Sequence, residues 1–176
     1  VRNLAPPATV PSSFIADFVL DPDSTLVVFS DPAGGGNAAL IVLDRATGIA
    51  RRILQGHHSV VPDEAVQFSS TTRTGKETRR LDGTSMPAHT GVQPLVLDRK
   101  AQWLYYAPVR SHAVYRLPMS LIRTGEMDAE KLAGAVERYA EKPAAASLAM
   151  DTKNNLYVGD LEARAIGCIE ADKRTY

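Results

Sequence analysis

Runs of apolar residues alternate with short polar turns along almost the whole chain. Three stretches repeat this pattern and line up without gaps: "FVLDPDSTLVVFSDP" (18–32), "LVLDRKAQWLYYAPV" (95–109) and "LAMDTKNNLYVGDLE" (148–162). Each has an apolar run, an Asp (Asp21, Asp98, Asp151), a polar turn and a second apolar run. That order predicts a β-hairpin, with the Asp capping its turn through an Asx-type hydrogen bond. A third apolar run follows each hairpin, at 38–48, 113–122 and 165–173. A fourth follows at 49–54 and 136–141, and residues 174–176 only begin one. Four antiparallel strands per repeat are the pattern of a propeller blade. A β-sandwich has similar short strands, but the repeat of a whole hairpin-plus-loop unit favours the propeller. The expected fold class is therefore all-β: about three four-stranded blades with one short helical insertion.

The expected organisation is one partial propeller domain over 1–176, with units at 14–64, 91–143 and 144–176. Successive aspartates lie further apart than the roughly 40–50 residues of a bare blade. Insertions are expected at 65–90, a polar hairpin turning near Thr74-Gly75, and at 119–140, which is helical. In the latter, one turn of helix is predicted at Ser120–Arg123. A second helix is predicted over 128–140, with Asp128 as N-cap and Leu132, Ala133, Val136 and Tyr139 at helical spacing. Propellers close with about four to eight blades. Three units need neighbours to bury their faces, so the chain is expected to be half of a larger ring or to self-associate to complete one.

The apolar share of 44% over 176 residues supplies a core and excludes disorder for most of the chain. Twenty basic and twenty acidic residues balance, which leaves no basic footprint for nucleic acid. The one basic cluster, Arg73 to Arg80, is short and contains Glu77. No apolar run approaches the roughly 18–20 residues of a membrane span. The first residue is Val and no signal-like segment follows, so any targeting signal is expected to lie outside this sequence. The single cysteine, Cys168, has no internal partner and falls in a predicted strand, where it is expected to be buried and inert.

In a propeller the first strand of each blade is innermost. The loop entering it and the loop between the second and third strands then share one face. The entry loops are Pro11–Ser13, Gly91–Pro94 and Ala144–Ser147; the others are Asp31–Asn37, Arg110–His112 and Asp160–Arg164. Together they bring Asp31, Asn37, Gln93, Arg110, His112, Ser147, Asp160, Glu162 and Arg164 to one mouth, the candidate site for a small-molecule ligand. The alternative reading is ordinary solvated loop polarity. His57-His58 with Asp63 and Glu64 is read as a segment wrapping the edge between blades. Adjacent histidines on an extended segment point to opposite faces, which opposes a metal cluster. His89 and His112 are read as solvated loop histidines. Gly34-Gly35-Gly36 opens no helix and is read as a turn needing positive φ. No Gly-x-Ser-x-Gly elbow is present, and no catalytic constellation is visible. Trp103 and Tyr105 should face one neighbouring blade and Tyr106 the other.

Three segments carry a family resemblance. "SLAMDTKNNLYVGDLEARAIGCIE" (147–170) resembles the C-terminal signature of the major royal jelly protein/yellow family. "WLYYAPVRSHAVYRLPMSLIR" (103–123) and "LVVFSDPAGGGNAALIVLDRATGIARRIL" (26–54) resemble its preceding segments, in the same order. The resemblance implies a six-bladed propeller of about twice this length, with the N-terminal blades absent here and an extracellular or periplasmic location. The family is functionally mixed: some members are linked to pigmentation and dopachrome conversion, some bind biogenic amines and some are nutritional. The more distant gluconolactonase/regucalcin propellers hold a divalent metal with Asn or Asp at entry loops. Here those positions are Gln93-Pro94 and Ala146-Ser147. Ala146 has no ligating side chain, so a cation such as calcium is disfavoured and no cofactor is expected. The expected function is small-molecule binding at the mouth by a secreted protein. The alternative is an enzyme of the lactonase or dopachrome-conversion type whose key groups lie in the absent blades.

Overall fold

In a computed structural model, which describes residues 3–63, 65–66, 91–125 and 128–176, each repeat forms one antiparallel sheet. The first sheet runs β1 (Asp17–Leu20), β2 (Leu26–Asp31), β3 (Ala39–Asp44) and β4 (Ala50–Ile53), in that spatial order. The second runs β5 (Val92–Leu97), β6 (Trp103–Pro108), β7 (Ala113–Pro118) and β8 (Glu137–Glu141). The third has three strands, β9 (Ala145–Met150), β10 (Leu156–Asp160) and β11 (Ala165–Ile169). The first strands pack side by side, β1 against β5 and β5 against β9. The fold is a partial β-propeller with the first strand of each sheet innermost. The hairpin expected at 65–90, with its turn and His89, lies outside the described residues apart from Ala65 and Val66.

Strand alternation divides the apolar residues between two seams. Val28, Leu40 and Val42 of the first sheet meet Leu95, Leu104 and Tyr106 of the second. Tyr105, Val114 and Tyr139 of the second meet Leu156, Val158 and Ile169 of the third. Tyr106 and Tyr105 thus face opposite neighbours, as adjacent strand residues must. Arg116 reinforces the second seam. Its guanidinium lies 3.9 Å from the Trp103 ring centroid and donates to Glu137 at 2.6 Å.

All three hairpin aspartates cap their turns. Asp21 accepts from the Asp23 N–H and the Ser24 hydroxyl, Asp98 from the Gln102 and Trp103 N–H groups, and Asp151 from those of Lys153 and Asn155. Asp21 also takes both ends of Arg123, at 2.8 and 2.7 Å. That pair ties the first sheet to the helical insertion of the second, and it holds the Asp21 carboxyl down at about 2.

Four expectations are corrected. The gapless alignment of the third hairpin is wrong by one residue. Leu20 faces Val27 and Leu97 faces Leu104, but Met150 faces Leu156, across a turn one residue shorter. A one-residue slip exchanges the two faces of a strand, so Asp160, not Leu161, is the structural equivalent of Asp31. The helix expected to reach 140 is α2 (Ala129–Gly134), following α1 (Met119–Arg123). It stops because 137–141 pairs with the free edge of β7, and Tyr139 turns into the seam instead. Gly34-Gly35-Gly36 needs no positive φ. Gly34 has φ −59° and Gly35–Asn37 form a single 3-10 turn. The constrained glycine is Gly56, at φ +72°, where a Cβ would sit 2.9 Å from the Gly36 carbonyl oxygen. Finally, Cys168 is exposed, on a face of the edge strand β11 that no sheet among the described residues covers.

The Asp128 cap is present: its carboxylate accepts from the Lys131 N–H at 2.9 Å. Replacing Asp128 with alanine is expected to cost about 1 kcal/mol. Thermal unfolding of the variant beside the parent checks this.

Candidate functional site

The entry loops and the second-to-third-strand loops lie on one face and are laced together by backbone bonds. The Val109 N–H donates to the Gly91 carbonyl, that of Ala145 to Val109 and that of Leu161 to Ala144. Ser30 at the end of β2 donates its hydroxyl to the Gln93 carbonyl at 2.6 Å. Gly91 fits this junction because a Cβ there would lie 2.8 Å from the Val60 carbonyl oxygen and 2.9 Å from the Ala38 Cβ. The result is a continuous rim across three sheets.

The nine candidate residues separate by what their side chains already hold. Asp31 is fully buried and accepts four bonds, from the Ser13 hydroxyl (2.5 Å), the Phe14 and Ala33 N–H groups and Arg52 Nη1 (2.6 Å). Burial alone pushes its carboxyl up, but the bonds from Ser13, Arg52, Phe14 and Ala33 outweigh burial and hold it below the ordinary value. Asp160, also buried, accepts from the Glu162 and Ala163 N–H groups and the Tyr176 hydroxyl. Its carboxyl is held low chiefly by the Ala163 N–H. These two equivalent aspartates shape their loops from inside. Asn37, His112, Ser147, Glu162 and Arg164 are exposed on the rim, and Gln93 and Arg110 are half-buried there. The Arg110 Nε donates to the Val66 carbonyl at 2.9 Å.

Two residues under the rim carry no signal in the sequence. Arg52, on β4, has a side chain only 5% exposed. It donates to the Ala8 carbonyl, to Asp31 and to the Asn37 carbonyl, while its Nε is buried with no partner. Lys142, just past β8, is 3% exposed. Its Nζ donates to the Ser111 carbonyl at 2.7 Å and the Pro143 carbonyl at 3.1 Å. Burial pulls its pKa down to about 7. Arg52 lies within a strand-like run and Lys142 just past one, but the partners are remote in sequence.

The 55–63 segment does bridge two blades. The Val92 N–H donates to the Val60 carbonyl, and the Ser59 hydroxyl lies 2.9 Å from that of Tyr106. It does so as a tight turn rather than an extended strand, so the His57 and His58 rings lie together, 4.1 Å apart, not on opposite faces. Burial, and then the neighbouring His58, lower the His57 pKa. A cavity of about 380 Å³ opens on the flank between this turn and α2, lined by Arg52, Gln55, His57 and Leu132 among others. None of the nine rim residues lines it. Among the described residues, no three His, Cys, Asp or Glu side chains converge as a metal site. No helix among them is long and apolar enough to cross a membrane.

The family model described as major royal jelly protein matches residues 5–176, nearly the whole chain. The chain belongs to the major royal jelly protein family. No curated protein matches this family member in sequence. Among solved structures it is similar to the Kuenenia stuttgartiensis hydrazine synthase, with a TM-score of 0.60 at 13% identity. The match covers 93% of this chain and 47% of that one. The royal jelly family chain therefore spans about half the length of the structure it matches. At that identity the likeness carries the fold alone.

Proposed function

We propose that this member of the royal jelly family is a secreted protein that binds a small molecule at the rim of its propeller. One observation carries the reading. Asn37, Gln93, Arg110, His112, Ser147, Glu162 and Arg164 come from three consecutive units to one rim, exposed or half-buried. The carboxylates of Asp31 and Asp160 are occupied beneath them. A surface with cationic, carboxylate, amide and hydroxyl groups held by a rigid frame suits recognition of a small polar or aromatic ligand. The family is typically secreted, which supports an extracellular or periplasmic location. Ligation by a metal is not required for this reading.

A titration of the protein with a biogenic amine, tyramine, by calorimetry tests it. Saturable binding is expected, and the double variant His112→Ala/Glu162→Ala is expected to weaken it about tenfold or more, because Glu162 is the rim carboxylate that can pair with the ammonium and His112 can bond the phenol. No saturable heat up to millimolar amine, or binding indifferent to the double variant, rejects this rim as an amine site.

A second reading, an enzyme completed by further blades, is favoured by Lys142. A buried lysine with its pKa brought near neutrality beneath the rim is the kind of group that active sites use. Loss of turnover in Lys142→Met of the complete propeller, with ligand affinity unchanged, would favour the enzyme.

A further inference from the structure

The flank cavity between the 55–63 turn and α2 has two fixed walls. On one side Gly56, at φ +72°, turns the chain and donates its N–H to the Ala38 carbonyl, and the His57 N–H donates to that of Leu54. On the other, α2 is held by its Asp128 cap and by Leu132 in the core. The volume, about 380 Å³, falls within the range of small-molecule sites. Leu54, Ala129, Leu132 and Ala133 make the lining apolar on most sides, and Gln55 and His57 add polar groups. The tautomer of His57 follows from its bonds. Its Nδ1 accepts from the Ser59 N–H at 3.3 Å, so the ring proton sits on Nε2. Burial opposes a second proton. The Nε2–H has no protein acceptor among the described residues.

We propose that this cavity binds a small neutral molecule with an apolar body and one oxygen acceptor. The lining excludes the other classes. An ammonium needs a carboxylate, and no Asp or Glu among the described residues lines the cavity. A carboxylate needs an uncommitted cation. The one cation of the lining, Arg52, is already paired with Asp31, and His57 is neutral. A hydrocarbon alone would cover the His57 N–H and leave it unsatisfied. A hydroxyl or carbonyl oxygen takes that bond while the body covers Leu54, Leu132 and Ala133. None of the nine rim residues lines the cavity, so this site stands whether or not the rim binds an amine.

Amide NMR of the intact protein, titrated with p-cresol, tests it. Saturable shifts are expected at the amides of 54–57 and 129–133, with a Kd of about 1 mM or tighter for so small a ligand. Ala133→Phe fills the cavity from a half-buried helix position and is expected to weaken binding about tenfold or more. Where that variant loses the parent's spectrum, Ala129→Phe, at an exposed position of the same wall, makes the same test. His57→Asn keeps an acceptor for the Ser59 N–H and removes the Nε2 donor. It is expected to weaken binding about threefold to tenfold, as loss of one hydrogen bond does. Benzoate and benzylamine, with the same ring, are expected to bind more weakly than p-cresol. Absence of saturable shifts up to about 10 mM p-cresol, or shifts on the rim loops in their place, overturns the proposal. So does parent-like affinity in the filled variant or in His57→Asn. Tighter binding of benzoate or benzylamine at these amides overturns the neutral class.

Discussion

Replacing Asp31 with alanine is expected to cost about 3–5 kcal/mol of folding free energy, the range for breaking a buried ion pair. The carboxylate is fully buried, and four donors converge on it. Its removal leaves the Ser13 hydroxyl and the Phe14 and Ala33 N–H groups without their acceptor. It also leaves the Arg52 guanidinium buried without its counter-charge, and the Arg52 Nε already has no partner. A protein of ordinary stability has about 5–15 kcal/mol in total, so this one change approaches global unfolding. The double variant Asp31→Leu/Arg52→Met should be less damaged than Asp31→Ala alone, because it removes the stranded charge along with its partner. Urea denaturation of the two variants beside the parent decides it. If Asp31→Ala costs under about 1 kcal/mol, the pair behaves as a surface contact. The parent should also lose stability as pH falls. The Asp31 carboxyl is held below its unfolded value, so its contribution is full above the ordinary carboxylate range and disappears on acidification.

What was legible in the sequence was local. The hairpins declare themselves through apolar alternation broken at Asp21, Asp98 and Asp151, and the hydrogen bonds that cap each turn span only a few residues. Asp128 is legible for the same reason. The one-residue slip in the third hairpin was not. Both Asp160 and Leu161 can follow a strand, and only pairing across β9 and β10 fixes which of them ends it. The end of α2 was also hidden. Val136 and Tyr139, three residues apart, fit helical spacing and not strand alternation, and the open edge of β7 overrides that local signal. The rim loops could be located from topology, because hairpin order dictates which loops share a face. Which of their polar groups are spent internally could not. Asp31 is satisfied by Arg52, 21 residues on, through a pairing that sequence spacing does not encode. Lys142 and its Ser111 partner are likewise separated by 31 residues.

Lys142→Met is expected to reverse its sign with pH. The Lys142 Nζ is buried without a carboxylate and has two carbonyl acceptors, those of Ser111 and Pro143. A neutral amine has two N–H groups to match them; an ammonium brings a third proton and an uncompensated charge. Burial accordingly lowers the folded-state pKa to about 7, against 10.5 ordinarily. Between those values the unfolded chain binds more protons than the folded one, so stability rises with pH across that window and the full penalty is present below it. Over the window the gain is about 3–5 kcal/mol, because each pH step of one accounts for roughly 1.4 kcal/mol. Methionine keeps the apolar stem and removes the charge, but it strands the buried Ser111 carbonyl at about 1–3 kcal/mol; the Pro143 carbonyl is only part-buried and can turn to water. The variant should therefore be more stable than the parent at pH 6 and less stable at pH 10, with the curves crossing between. Urea midpoints measured across that range read the crossing directly. Parallel curves would mean that the Lys142 amine keeps its charge in the folded protein. In that case water or an unrecognised partner solvates it, and the argument for a neutral amine beneath the rim fails with it.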